Sequence, residues 1–319
     1  MARNRSALPG LPGLPGRRGT ALAAAAVLAV AAVAVSGALA RSGGPETVRA
    51  SGDPAALRVV TYNIREDMDA PPRDWETRLP VMIRQLRRHA PDLLGVQEAL
   101  WRQVRDLDGE LGEALGGYGV VGMGRRGGTR DEATAILYRE DRLELRESGH
   151  FWLSSTPTVP GSITWGNTYP RMVTWALFRD RRGGGLVYHL NTHLDNHSGY
   201  SRVRSARMIL NRARAFRPGV PVLLTGDFNT PAGGGDAYRV LTAPGAFTDT
   251  WTAARAHGPV CNTYGGWRRP VPGGWRIDWI LARGAVTTTW SEIAPYQEEG
   301  RYPSDHYPVV AHVTIGKNR

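Results

Sequence analysis

The chain has 319 residues, 41% of them hydrophobic and 22% charged, which excludes a disordered or fibrous protein and allows a sizeable core. Its single cysteine, Cys261, rules out an intramolecular disulfide and a cysteine-based zinc site. The net charge of +11 is nearly all arginine, Lys317 being the only lysine; this favours a polyanionic or phosphorylated ligand, although GC-rich codon usage yields the same bias with no functional content.

Residues 1–40 carry Arg3, Arg5, Arg17 and Arg18 and no acid, which leaves 36 basic against 29 acidic residues in the rest. Arg17-Arg18 precedes an apolar stretch, Ala21 to Ala40, that ends in the small-x-small pattern Ala38-Leu39-Ala40. This predicts a secretory signal cut after Ala40; the alternative is an uncleaved anchor, since about 20 apolar residues can span a bilayer. Either way the folded domain is expected outside the cytoplasm, as a monomer, with a membrane touched only through this segment. Residues 41–56, rich in Gly, Pro, Ser and Ala, read as a flexible linker, so the domain is expected over 57–319.

Within the domain, Leu57–Ile64 is a β-rich apolar run and predicts a strand. Trp75, Leu79, Met82, Ile83 and Leu86 recur at helical spacing, and Pro91 closes that helix. Asp92–Gln97 predicts a short buried strand and Trp101–Leu115 a helix. Tyr118–Met123, Thr134–Tyr138, Leu143–Leu153, Met172–Phe178 and Leu186–Leu194 follow as strands. Ser201–Phe216 is an arginine-rich amphipathic helix, Val220–Leu224 a buried strand, and Arg276–Leu281, Thr287–Ile293 and Val309–Ile315 complete the set. Hairpins mixed with helical crossovers predict two mixed sheets packed face to face with helices outside. A simple alternating parallel sheet would need helices between residues 118 and 194 that the pattern lacks.

Polar residues recur where apolar strands end: Asn63, Glu98, His193, Asp227 with Asn229, Asp278, and Asp305 with His306. One such placement means little, but many together predict a convergent site. Carboxylates with few nitrogen ligands suit a hard cation, Mg2+ or Mn2+, and metal-free histidines can handle protons. No nucleophile stands beside a base in a recognised arrangement, so activated water is the natural attacking group. The combination fits hydrolysis of a phosphate ester.

Thr61-Tyr62-Asn63-Ile64-Arg65, Gln97-Glu98, Asn191-Thr192-His193-Leu194, Gly226-Asp227-Phe228-Asn229, Arg276-Ile277-Asp278 and Ser304-Asp305-His306-Tyr307-Pro308-Val309 resemble, in order, the motifs of the endonuclease/exonuclease/phosphatase superfamily, in particular an exported bacterial branch. The resemblance runs from about Leu57 to Ile315 and implies an α/β fold, the DNase I-like four-layer sandwich. It implies Glu98 as principal metal ligand, helped by Asn63 and Asp305. It implies Asp227 and Asn229 as the pair that orients water and phosphate, and His306 as the catalytic histidine supported by Asp278. His193 resembles a second histidine, with Glu132 as its carboxylate partner, and Arg171 an arginine near the phosphate, with Asn229 and Asn63 also bordering it.

Blander readings apply to other residues. Asp195 could bond a backbone amide instead of serving the site. His150 and His197 read as surface or packing residues, His189 as structural, and Arg202, Arg204, Arg207, Arg212 and Arg214 as a solvated helix face. Trp165, Tyr169, Tyr264, Trp267 and Trp275 lie in Gly/Pro-rich stretches, where they could stack on a ligand or cover the core. The expected function is an exported, metal-dependent phosphodiesterase, with nucleic acid the first substrate considered. The alternatives are a phosphatase or sphingomyelinase-like enzyme acting on small or lipid-linked phosphate esters, and a non-catalytic binding module.

Overall fold

The computed structural model describes residues 56–316. The expected signal segment and all of the expected linker but Ala56 lie outside the described residues, and among those described no helix is long and apolar enough to cross a membrane.

A seven-stranded and a six-stranded mixed sheet pack face to face. In the first, β1 (Leu57–Asn63), β2 (Leu93–Gln97), β3 (Tyr118–Val121), β4 (Ile136–Arg139), β10 (Ala256–His257), β12 (Val286–Ile293) and β13 (Val309–Ile315) run in the order β10-β12-β13-β1-β2-β4-β3. In the second, β5 (Leu143–Trp152), β6 (Met172–Asp180), β7 (Leu186–His193), β8 (Val222–Asp227), β9 (Thr248–Asp249) and β11 (Asp278–Arg283) run β5-β6-β7-β8-β11-β9. Helices α1 (Trp75–His89) and α2 (Trp101–Leu115) belong to the first half, and α3 (Gly199–Arg214), α4 (Asp236–Leu241) and α5 (Thr250–Ala253) to the second.

The layers follow from period-2 alternation in the strands. Leu57 and Val59 join Leu223 and Ile280 in a core between the sheets. Val60 and Tyr62, pointing the other way, pack with Met82 and Leu86 of α1 and Val104 and Leu107 of α2. Leu190 and Leu224 likewise meet Ala206, Ile209 and Leu210 of α3 and Leu241 of α4. The result is helix, sheet, sheet, helix, the expected four-layer sandwich.

Each half has one parallel crossover at its centre. β1 passes through α1 to β2, and β7 passes through α3 to β8. Asp74 caps α1 through its side chain on Thr77, and Ala90 closes the helix in the left-handed region at φ 41° before Pro91. Because the crossovers are parallel, the carboxyl ends of these strands share one edge. Asn63 is level with Gln97, and His193, Asp227 and Asp278 form one row across three strands. The sheets approach closely beneath that edge. A Cβ on Gly95 would lie 2.3 Å from the Thr225 hydroxyl and 2.6 Å from the Asn191 carboxamide oxygen, so only glycine fits. A buried polar layer fills this level: Gln97 donates to Asn191 at 2.7 Å and to Thr61 at 3.1 Å, and Thr225 donates to Asn191 at 3.0 Å.

The pattern-based elements all form, with ends shifted by a few residues. The short elements α4, β9, α5 and β10 were not expected. Trp165 is buried in the core rather than exposed, while Tyr169, Tyr264 and Trp275 are exposed. Trp267 is partly buried under the guanidinium groups of Arg73 and Arg78, 5.1 and 5.8 Å from its ring.

Candidate active site

The strand-end residues converge on a cavity of about 410 Å³. Asn63, wholly buried at the end of β1, and Asp278 do not line it but bond to residues that do. The Asn63 amide donates to Glu98 and to Asp227, each at 3.0 Å, and lies 3.4 Å from Nε2 of His306. Glu98 follows the last residue of β2 with φ 56°, which turns the chain out of the strand direction. Arg65, at φ 58°, reaches Glu98 at 3.4 Å and Asp69 at 3.0 Å. Left-handed backbone on non-glycine residues costs on the order of 1 kcal/mol or more each, and here it falls on two site residues and on Asn229, at φ 47°.

His306 is joined through Nδ1 to the Asp278 carboxylate at 3.0 Å, and its Nε2 lies 3.7 Å from Asp227. Burial opposes charge on the ring, but Asp278 and Asp227 outweigh it and push the pKa up to about 10. His306 is therefore an imidazolium at neutral pH. Asp227 moves the other way: burial and the neighbouring Asp278 raise it to about 7, with His306 opposing. One oxygen of Asp227 accepts the Asn229 backbone N–H at 2.9 Å. The Asn229 side-chain amide donates to the Leu194 carbonyl and to Nε2 of His193, both at 3.0 Å.

The second histidine departs from expectation. An amide donor on Nε2 requires a neutral ring with its proton on Nδ1. Burial, with the positive charges of Arg171, His306 and Arg125, holds the His193 pKa well below its ordinary value. Glu132 lines the pocket but is not the hydrogen-bonding partner of His193. Arg125 grips both Glu132 oxygens at 2.8 Å and reaches Asp131 at 2.9 Å. The physical reason is local: the loop before β4 brings the Arg125 guanidinium within fork geometry of Glu132, and a bidentate pair outcompetes a single contact to an imidazole. Burial raises the Glu132 carboxyl to about 7 against the pull of Arg125.

Arg171 lines the pocket at 4% exposure. It donates to Asn196 at 3.1 Å and lies 3.7 Å from Asp195, and its Nε has no hydrogen-bond partner. That Nε is itself buried and is the guanidinium nitrogen nearest the Asp195 carboxylate. Asp195 accepts the backbone N–H groups of His197 and Ser198 at 3.0 and 2.6 Å, so it serves the backbone before α3. His197 is exposed, and His150 is part-buried against Thr174 at 3.2 Å. Arg204, Arg207, Arg212 and Arg214 are exposed along α3.

Sequence reasoning missed Arg65, Arg125 and Asn196 as pocket residues; Tyr169 and Tyr264, for which stacking on a ligand and covering the core were both open, line the pocket. Arg65 could have been found from its place two residues after Asn63. Arg125 lies in Gly124-Arg125-Arg126-Gly127-Gly128, which reads as a plain polar turn.

The donor set fits a hard cation. Glu98, Asp227 and Asp305 gather oxygens in one pocket, and burial raises Asp305, with Glu98 adding repulsion against the pull of His306. A dication among these carboxylates offsets that repulsion. Glu98 and Asp305, with Asn63, would hold it. Asp227, Asp278 and His306 also lie close enough together to share an ion. Within that trio, His306 Nδ1 is already bonded to the Asp278 carboxylate at 3.0 Å.

The Endonuclease/Exonuclease/phosphatase family model matches residues 60–306. The crystal structure of an endonuclease/exonuclease/phosphatase from Bacteroides vulgatus is 30% identical, with a TM-score of 0.76, covering 82% of this chain and 99% of that one. The mannosyl-6-phosphatase of Bacteroides thetaiotaomicron is 29% identical, with a TM-score of 0.73, covering 81% of this chain and all of that one. A curated relative, the probable RNA exonuclease NGL3 of Saccharomyces cerevisiae, is 21% identical over 208 residues, 58% of this chain. The chain spans 40% of that relative's length. With the ordered motifs, the four-layer sandwich and the match over most of its length, the chain belongs to the endonuclease/exonuclease/phosphatase family and is a phosphoester hydrolase of that superfamily.

Proposed function

We propose that the protein is an exported, divalent-metal-dependent hydrolase whose substrate is a small phosphate ester, a phosphorylated sugar foremost. The carrying observation is that Glu98, Asp227 and His306 line one pocket, with buried Asn63 bonded to Glu98 and Asp227 and buried Asp278 bonded to His306. A bound Mg2+ or Mn2+ supplies Lewis acidity at a phosphoryl oxygen. Asp227, raised to about 7, is suited to take a proton from the attacking water near neutral pH, with Asn229 fixing its orientation. His306, held charged, offers its Nε2 proton to a phosphoryl oxygen and stabilises the charge that develops there. His193, neutral, accepts from Asn229 and fixes that side chain.

Two observations support a small substrate. The cavity, about 410 Å³, falls within the range of small-molecule sites. The likeness to a mannosyl-6-phosphatase covers the whole of that chain. A second reading, nucleic acid, is favoured by Trp275, 75% exposed, in the same loop as the exposed Arg268 and Arg269, which form a surface for stacking and phosphate contact.

A substrate panel separates the two: hexose 6-phosphates, p-nitrophenyl phosphate, its bis ester, sphingomyelin, and single- and double-stranded DNA and RNA, each with Mg2+ or with chelator. Turnover of monoesters that chelator abolishes is expected. Cleavage of nucleic acid with none of the small esters would replace the first reading with the second, and full activity in excess chelator would reject both. Export rests on the amino-terminal sequence, and a mature amino terminus near Arg41 in material from the native host is the expected result.

A further inference from the structure

Arg78 lies on the buried stripe of α1 and is 2% exposed. All its hydrogen bonds go to backbone carbonyls: Nε to Arg73 at 2.7 Å, Nη1 to Ile64 at 2.6 Å and Pro303 at 3.0 Å, Nη2 to Arg65 at 3.0 Å and Glu66 at 3.2 Å. Among the described residues no carboxylate lies within ion-pair distance of it. A buried cation spent wholly on carbonyls is uncommon, since charge out of water is costly unless its partners are many and well placed.

The carbonyls define what it holds. Ile64, Arg65 and Glu66 directly follow Asn63, and Pro303 directly precedes Ser304-Asp305-His306. Three successive carbonyls converge on one guanidinium, Ile64 on Nη1 and Arg65 and Glu66 on Nη2; the left-handed turn at Arg65 permits it. A second tie lies beside it, where Ser304 donates to the Asn63 carbonyl at 2.7 Å and accepts the His306 N–H at 3.2 Å. Trp267 covers the guanidinium at 5.8 Å.

We propose that Arg78 is a positioning residue: its guanidinium clamps the loop after Asn63 to the loop before Asp305 and so sets the spacing of the groups that hold the divalent cation. This rests on the metal-dependent reading of the site, but its test does not depend on substrate. Lysine keeps the charge but carries three donors on one nitrogen and cannot span both loops in fork geometry. Arg78→Lys is therefore expected to bind Mg2+ at least tenfold more weakly by calorimetry in the absence of substrate. Amide hydrogen exchange without metal should quicken in peptides covering 64–67 and 303–306, while peptides from β7 and β8 stay unchanged. Arg78→Ala, if folded, should regain Mg2+ affinity in millimolar guanidinium and not in equal sodium chloride. Wild-type Mg2+ affinity and exchange in Arg78→Lys would overturn the proposal, as would equal acceleration throughout the sheets. A wild-type protein that binds no Mg2+ would instead overturn the metal reading itself.

Discussion

Acid should unfold this domain through a residue outside the chemistry. His189 is wholly buried in β7, donating from Nε2 to the Thr225 hydroxyl at 2.9 Å, while Nδ1 has no partner. Burial lowers its pKa from 6.5 to about 3. The unfolded chain therefore takes up a proton below pH 6.5 that the folded protein refuses, so stability is full above pH 6.5 and falls as the pH drops towards 3. At pH 5 the loss is 1.5 pH units' worth, about 2 kcal/mol. This figure hardly depends on the folded pKa, because pH 5 lies well above it. His189→Leu removes the titration and leaves Thr225 its donation to Asn191. Urea unfolding at pH 7 and pH 5 gives the test. Carboxylates and other histidines contribute equally to both proteins, so the wild type should lose about 2 kcal/mol more than the variant between the two pH values. Equal losses would refute the reasoning and mean that water or a rearranged partner reaches Nδ1.

His306→Ala and Asp278→Asn should each lower kcat by a factor on the order of 10² or more, and the double variant should be little worse than His306→Ala, since groups acting as one unit are non-additive; additive losses in steady-state kinetics would assign Asp278 another task. Arg125→Met should destabilise the fold by about 3 kcal/mol in urea, because Glu132 is left without its bidentate partner, and Arg125→Met with Glu132→Gln should recover much of that loss. Gly95→Ala drives a methyl into Thr225 and Asn191; at least 1–3 kcal/mol of destabilisation is expected, with loss of activity in the protein that still folds, and a melting temperature equal to wild type would contradict the close approach of the sheets.

Long elements were legible because burial writes itself as periodicity. Leu57–Asn63 and Val222–Asp227 are apolar runs between polar breaks, and α2 took the limits that its pattern predicts. Helix α4 and strands β9 and β10, two to six residues long, are shorter than the window in which a period can be counted. The site was legible wherever a polar residue ends an apolar strand, which covers Asn63, His193, Asp227 and Asp278. It was illegible where pairing is decided by loop closure. Nothing in Arg125 or Glu132 taken alone says that they meet, and the family resemblance pairs Glu132 with His193 instead. Arg78 was invisible for a related reason: an arginine in a helix reads as a solvated side chain, and only the carbonyls of residues 64–66 and 303 show otherwise.

The row of His193, Asp227 and Asp278 across neighbouring strands has a consequence for how such a protein can change. Their spacing is fixed by the hydrogen-bonded ladder, about 4.8 Å from strand to strand, and by no loop. Tyr169, Asn196 and Tyr264, which border the same pocket, stand outside the strands, in the connections before β6, before α3 and before β11. Insertions or exchanges in those connections can therefore redraw the mouth of the pocket while the reacting groups keep their distances. A lineage built this way can trade one phosphorylated substrate for another by editing that part of the rim, with the row on the strands left in place.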